Sequence, residues 1–306
     1  MIMTVTLNPA IDHFVRLDQF ELGLVNRAKS DQKVAGGKGI NISKALKNLG
    51  HSSVAHGFIG GFTGRFIQEQ LELEEIGTDF TQIQADTRIN VKIQSEIETE
   101  INGVSPQISV DELKQLESKL EQLQAGDFLV LAGSVPKTLP KIVYQRLMEQ
   151  AAAKGAQVFI DTSGEALKSV IDLKPTLIKP NHHELAELFS TTISTKEEAI
   201  PYAKQLVEKG IRYVLVSFAG DGAILATKDG VYFATVPEGK VVNSVGAGDS
   251  VVAGFIAALA EGQSIENVFA FAVASGSATA FSQGFCQRNN VLTLAKEVTI
   301  TTMGDE

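Results

Sequence analysis

A single cysteine, Cys286, is the chain's entire thiol content, which excludes an internal disulfide and any metal site built from several thiolates. That scarcity fits a reducing compartment, and Cys286 itself reads as a structural thiol rather than a nucleophile. Basic residues are also in deficit, with 27 Lys and Arg against 36 Asp and Glu and a formal net charge of −9. Such a surface is poorly suited to displacing counterions from nucleic acid or an anionic membrane. No apolar stretch approaches the roughly 18 residues of a membrane span, and the N-terminal MIMTVTLNPAID carries no basic leader. The expectation is a cytoplasmic protein with no nucleic-acid or membrane partner. Familiar motifs are missing too. No GxxxxGK[ST] string occurs, Val251 stands where a dinucleotide fingerprint built on Gly246 and Gly248 needs its third glycine, and His182-His183 has neither Cys partners nor an HExxH frame for zinc.

What is present suits a large α/β protein. The 306 residues are 44% hydrophobic and 21% charged, enough for a sizeable core. Short β-rich runs at 5–7, 128–133, 157–163, 176–181 and 213–220 alternate with helix patterns at 110–124, 140–154, 182–189 and 196–209. This alternation predicts a mostly parallel sheet covered on both faces, with ligands at the carboxyl ends of its strands. The turns AGSVP (132–136), DTSGE (161–165), KPNHHE (179–184), SFAGDG (217–222) and GAGD (246–249) all fall there. One segment, RINVKIQSEIETEI (88–101), instead alternates apolar and polar residues, the pattern of a half-exposed antiparallel hairpin. With 11–30 as its partner strand it reads as a small inserted β lid or dimer clasp. No repeat or linker interrupts the chain, so one domain is expected over 1–306, with lid segments at about 11–30 and 87–102.

Several turns carry candidate chemistry. In NSVGAGDSV (243–251), Gly246 and Gly248 leave backbone N–H groups uncovered before an apolar helix beginning near Val251, an arrangement that binds anions. Asp249 is then either a base or an acid at a helix start, the latter worth roughly 0.5–2 kcal/mol. In GGKGIN (36–41), the glycines allow a ligand close to the backbone, Lys38 adds charge, and Asn41 adds donors and an acceptor for hydroxyls or a phosphoester. Asp12, just after the first strand, is suited to two hydroxyls of a polyol or to capping a turn. Asn181 and Glu184 share the first turn of a helix, where spacing favours a capping box over a metal or phosphate contact.

TLNPAID, GGKGIN, KPNxxE and a late GAGD, in this order, resemble the ribokinase-like (PfkB) carbohydrate kinases over essentially the whole chain. The resemblance implies a three-layer sandwich on a mostly parallel sheet with a small β lid. TRINVKI (87–93) and ETEINGVSPQIS resemble most closely, within that family, the bacterial kinases of fructose 1-phosphate. Implied is ATP-dependent phosphorylation of D-fructose 1-phosphate at its 6-hydroxyl, giving fructose 1,6-bisphosphate and ADP. Tagatose 6-phosphate and fructose 6-phosphate are the alternative acceptors, and a non-catalytic sugar-phosphate sensor is a more distant one. Asp249 matches the family's base, with Gly246 and the amides of Ala247, Gly248 and Asp249 as anion hole. Asp12, Gly37, Lys38, Asn41, Arg88 and Asn90, with Lys92 beside them, match sugar contacts, and Lys38 and Arg88 are expected to pair with the acceptor's phosphate. ATP is expected at Lys179, Asn181, Ser217, Gly220, Gly222, Gly248 and around Ser275, and Mg²⁺ at Asn181 and Glu184. Ala219, where the family commonly has glycine, is expected to narrow the nucleotide's room. A base with an ordinary carboxylate pKa would suffice, because the alcohol becomes acidic only as the bond to phosphorus forms. A homodimer through the lid completes the expectations.

Overall fold

The computed structural model describes residues 1–303. Its main sheet is eleven-stranded. From edge to edge it runs Ile300–Thr302, Gly230–Ala234, Ala223–Thr227, Tyr213–Ser217, Leu177–Ile178, Gln157–Asp161, Phe128–Ala132, Ile2–Thr6, Val54–Ile59 and Gly77–Thr78, with Thr81–Gln82 also on Val54–Ile59. Pairing is parallel from Tyr213–Ser217 through to Gly77–Thr78 and antiparallel toward Ile300–Thr302. The β-rich runs read from sequence are all present, though the one at 176–181 is only Leu177–Ile178.

The strand residues explain why helices cover both faces. Leu129 and Leu131 join one apolar cluster, whereas Phe128, Val130 and Ala132 join another, as a two-residue period demands. The first cluster packs under Val110–Lys119, Val143–Ala153, His182–Phe189 and Lys196–Glu208; the second packs under Lys38–Asn48, Ala247–Ala260, Ile265–Ala280 and Arg288–Leu294. Each fully buried Leu or Ile here contributes about 1.5–3 kcal/mol. The result is the three-layer sandwich, and among the described residues no helix is long and apolar enough to cross a membrane.

A second, four-stranded sheet has the order Ser30–Gly36, Ala10–Arg16, Arg88–Gln94, Thr99–Ile101. The hairpin read at 88–101 is its Arg88–Gln94 and Thr99–Ile101 pair. The segment 11–30 is not one partner strand: it supplies Ala10–Arg16, parallel to Arg88–Gln94, and the next strand lies mostly beyond residue 30. Ser30–Gly36 escaped notice because SDQK is exposed along an edge, where side-chain alternation leaves no apolar signature. That edge strand runs directly into Gly37 and the helix Lys38–Asn48, which closes with Gly50 in the left-handed region and His51 N–H bonded back to the Leu46 carbonyl.

Candidate active site

The helix Ala247–Ala260 starts four residues earlier than its apolar run suggested, so GAGD is its first turn. Gly246 is the N-cap at φ 78°, and a β-carbon there would collide with the Phe285 ring. Of the first amides, that of Ala247 donates to the Ser244 carbonyl at 3.2 Å. Gly248 and Asp249 keep theirs free, since an α-helix has no carbonyl for them. The anion cradle is therefore narrower than three amides.

Asp249 sits at the floor of this turn, 6% exposed, its Oδ2 accepting from Asn41 Nδ2 at 2.8 Å. Burial and then the charge of Asp161 push its pKa up to about 6, against the opposing pull of Lys38, Asn41 and Lys179. The carboxyl group therefore titrates above the usual carboxylate range.

Asp161 was absent from the sequence-derived candidates, although its DTSGE turn was noted at a strand end. It ends Gln157–Asp161, is fully buried, and its Oδ1 receives Lys38 Nζ at 2.9 Å and Lys179 Nζ at 3.4 Å. Burial alone raises its pKa, yet the two ammonium groups outweigh this and keep it ionised. Asp161 in turn holds Lys38 firmly protonated. Lys38 and Asn41, three residues apart on one helix face, thereby reach Asp161 and Asp249 respectively. Gly37 (φ 126°) and Gly39 let that helix press on Thr6, where β-carbons would stand 2.7 Å from Thr6 Cγ2 and 2.5 Å from Thr6 Oγ1.

The small sheet carries the remaining sugar-side candidates. Asp12 lies against Gly36 and accepts from Asn90 Nδ2 at 2.9 Å, while Asn90 Oδ1 accepts from the Gly103 amide. Arg88 Nη2 donates to the Asn8 carbonyl at 3.1 Å, and the Asn8 amide spans the hydroxyls of Ser105 and Ser134. Asn8, Ser105 and Ser134 went unrecognised because three distant turns converge there. Lys92 pairs with Glu100 at 2.8 Å across the hairpin. A cleft of about 960 Å³, lined by Asp12, Asn41, Lys92, Val245 and Phe285 among others, separates this sheet from the layered domain.

On the opposite side, Lys179 is buried and lies 3.4 Å from where a β-carbon at Gly248 would stand. Asn181 and Glu184 form a full capping box, each backbone N–H bonded to the other's side chain at 2.8 Å. That uses one lone pair of Asn181 Oδ1 and one oxygen of Glu184, as a capping box does. Ser217 and Gly220 border this side half-buried and exposed, whereas Gly222 is required by the fold, since its φ is 99° and a β-carbon would strike the Ala234 carbonyl. Ala219 has φ 49°, so a glycine suits that position for its backbone rather than for space. Ser275 is a correction. It is fully buried, donates to the Phe271 carbonyl at 2.8 Å, and packs against Gly254, so no nucleotide reaches its hydroxyl. Cys286 is buried and its thiol pKa is raised by that burial, as a structural thiol requires.

A poised carboxylate, two free amides and two lysines on one buried acid can deprotonate a hydroxyl beside a polyphosphate. Comparison with known proteins identifies the family. The description pfkB family carbohydrate kinase matches residues 5–290. The chain is 50% identical to the 1-phosphofructokinase of Bacillus subtilis, over 99% of this chain and 100% of that protein. It is 39% identical to the D-tagatose-1-phosphate kinase of Bacillus licheniformis, over 98% and 99%. Phosphofructokinase-2 from Escherichia coli, solved in complex with fructose-6-phosphate, superposes with a TM-score of 0.91 at 28% identity, covering 97% of this chain and 98% of that one.

Proposed function

Because this chain belongs to the pfkB family of carbohydrate kinases, we propose that it transfers the γ-phosphoryl group of ATP to the 6-hydroxyl of D-fructose 1-phosphate, giving fructose 1,6-bisphosphate and ADP. The observation that carries this reading is Asp249, buried beside two free helix amides and held by Asn41. The 50% identical relative supports the choice of acceptor.

Phosphoryl transfer asks mainly for in-line positioning and neutralisation of charge on the equatorial oxygens. The Gly248 and Asp249 amides cradle the phosphates, Lys179 lies beside them, and Asp249 orients the acceptor hydroxyl and accepts its proton. Asp12 and Asn90 hold sugar hydroxyls. Arg88, with Ser105 and Ser134 nearby, takes the phosphate that the acceptor already bears. Ser217 and Gly220 border the nucleotide. A Mg²⁺ ion here would keep several waters and rest on the substrate phosphates. Glu184 would hold it through water, and the ion supplies charge neutralisation.

The small sheet acts as the lid of a single kinase domain, closing over the sugar and excluding water. Its outer face exposes Ile89 and Ile101, with Ile97 in the turn between them, a surface suited to a homodimer through paired lids. Sedimentation of Ile101→Lys tests this, and an unchanged mass with a dimeric parent sinks it.

A second acceptor, D-tagatose 1-phosphate, is favoured by the 39% identical relative. Initial rates with MgATP on fructose 1-phosphate, tagatose 1-phosphate, fructose 6-phosphate and tagatose 6-phosphate decide. A kcat/KM preference for fructose 1-phosphate above about a hundredfold, roughly 2.7 kcal/mol, supports the main reading. Preference for a 6-phosphate reassigns the Arg88 pocket, and no turnover on any acceptor points to a sensor.

A further inference from the structure

Lys38 has a fixed partner on the layered side of the site. Its ammonium is bonded to Asp161, the same buried carboxylate that holds Lys179, and both bonds end on the single atom Oδ1. The two cations are therefore neighbours, no further apart than those two bonds laid end to end. Lys179 also stands beside Gly248, whose amide is free. On the other flank, Asn41 anchors Asp249 from the helix turn that begins with Lys38. Lys38 thus shares Asp161 with Lys179 and lies within electrostatic reach of Asp249 and Glu184. The two cations and the free amides of the Ala247–Ala260 helix are linked through one run of contacts, from Lys38 through Asp161 and Lys179 to Gly248.

We propose that Lys38 contacts the phosphoryl group in transit rather than the acceptor's own phosphate, and that Asp161 is the positioning residue that holds Lys38 and Lys179 together for it. This rests on the kinase reading above. In the step itself the acceptor oxygen forms a bond to the γ-phosphorus and its proton passes to Asp249. The bond from that phosphorus to the β,γ-bridging oxygen breaks, and its electron pair leaves with ADP. Lys38 stays protonated throughout, as its bond to Asp161 ensures. Its charge counts most when the equatorial oxygens are most exposed, so it lowers the barrier more than it tightens ground-state binding. Arg88 is then left as the main cation for the phosphate already on the sugar.

Steady-state kinetics with MgATP and fructose 1-phosphate separate the two assignments. Lys38→Met is expected to lower kcat by about a hundredfold or more while the sugar-phosphate KM stays within about threefold, and to slow sugar-free ATP hydrolysis as well. Lys38→Arg, which keeps the charge, is expected to recover at least about tenfold of the lost kcat, which a misfolded site would not. A KM rise above about tenfold with kcat retained overturns the proposal, because it is the signature of a ground-state phosphate contact. Asp161→Asn is expected to lower kcat and to move the acid limb of the kcat/KM profile to lower pH, because Asp249 loses its anionic neighbour. A lower rate with an unmoved limb overturns the positioning role. If the parent enzyme turns over none of the acceptors, the kinase reading itself has failed, whereas an active parent with an undiminished Lys38→Met refutes only the role of Lys38.

Discussion

Asn41 and Asp249, 208 residues apart in sequence, are joined by a 2.8 Å hydrogen bond that links the first turns of two helices. It fixes one oxygen of the buried carboxylate and leaves the other for a hydroxyl. Asp249, the free amides of its turn and Lys38 are therefore oriented together.

The pH dependence of the reaction follows from that burial. With the Asp249 pKa pushed up to about 6, the carboxylate accepts a proton only above that pH, so kcat/KM is expected to rise with an inflection near pH 6 and level off toward 8. An acid limb near pH 4, measured with an acceptor whose own phosphate ionisation has been corrected for, contradicts this.

Stability should move the other way. The folded pKa of Asp249 lies above its unfolded value of 3.8, so its favourable contribution is complete below pH 3.8 and is lost as pH rises through about 6. Asp249→Asn removes a buried charge and is expected to raise Tm at pH 8, by on the order of 1–3 kcal/mol of stability, and by less at pH 5. The same variant is expected to lose about 10²–10⁴ in kcat. A lower Tm at pH 8 tells against the assigned ionisation.

Arg88→Ala is expected to raise KM for the sugar phosphate by about 10–100-fold with little change for ATP, the loss of a charge-assisted contact worth about 1.5–3 kcal/mol. Equal changes in both KM values would mean that Arg88 instead supports the sheet through its bond to the Asn8 carbonyl.

Gly248→Ala separates fold from function. The new β-carbon meets only Lys179 Nζ, at 3.4 Å, and alanine in a helical turn is favoured by about 0.5–1 kcal/mol. A higher Tm is expected together with a kcat/KM at least about tenfold lower, because the methyl group occupies the phosphate cradle. Undiminished activity argues that phosphate lies elsewhere.

Much of the layered domain was legible because parallel strands buried on both faces read as apolar runs, and because glycine turns such as GAGD and GGKGIN mark strand-to-helix junctions. The hairpin Ala223–Thr227 and Gly230–Ala234 was overlooked although Asp229-Gly230 signals a tight turn. Asp161 was harder. A carboxylate at a strand end is common, and only folding brings it to Lys38, 123 residues earlier in sequence. Pairing is a property of the tertiary structure, so Lys38 read from sequence as one more cation for a phosphorylated sugar. Ser275 failed for the converse reason: a serine among small residues in a helix is as compatible with close helix packing on Gly254 as with a ligand.

The chain passes between the four-stranded sheet and the layered domain four times, near residues 7–9, at Gly37, at Thr87 and beyond Ile101, and Ile11 and Ala35 of the sheet are buried against Ile40, Ile59 and Ile67 of the layered domain. Asp12, Arg88 and Asn90 lie on the sheet side of those passages, and Asp249, Asp161 and Lys179 on the other. A sheet exchanged at those four joints alone would leave the Ile11 and Ala35 seam unmatched, so a graft from a relative has to bring along the partners of that seam, Ile40, Ile59 and Ile67.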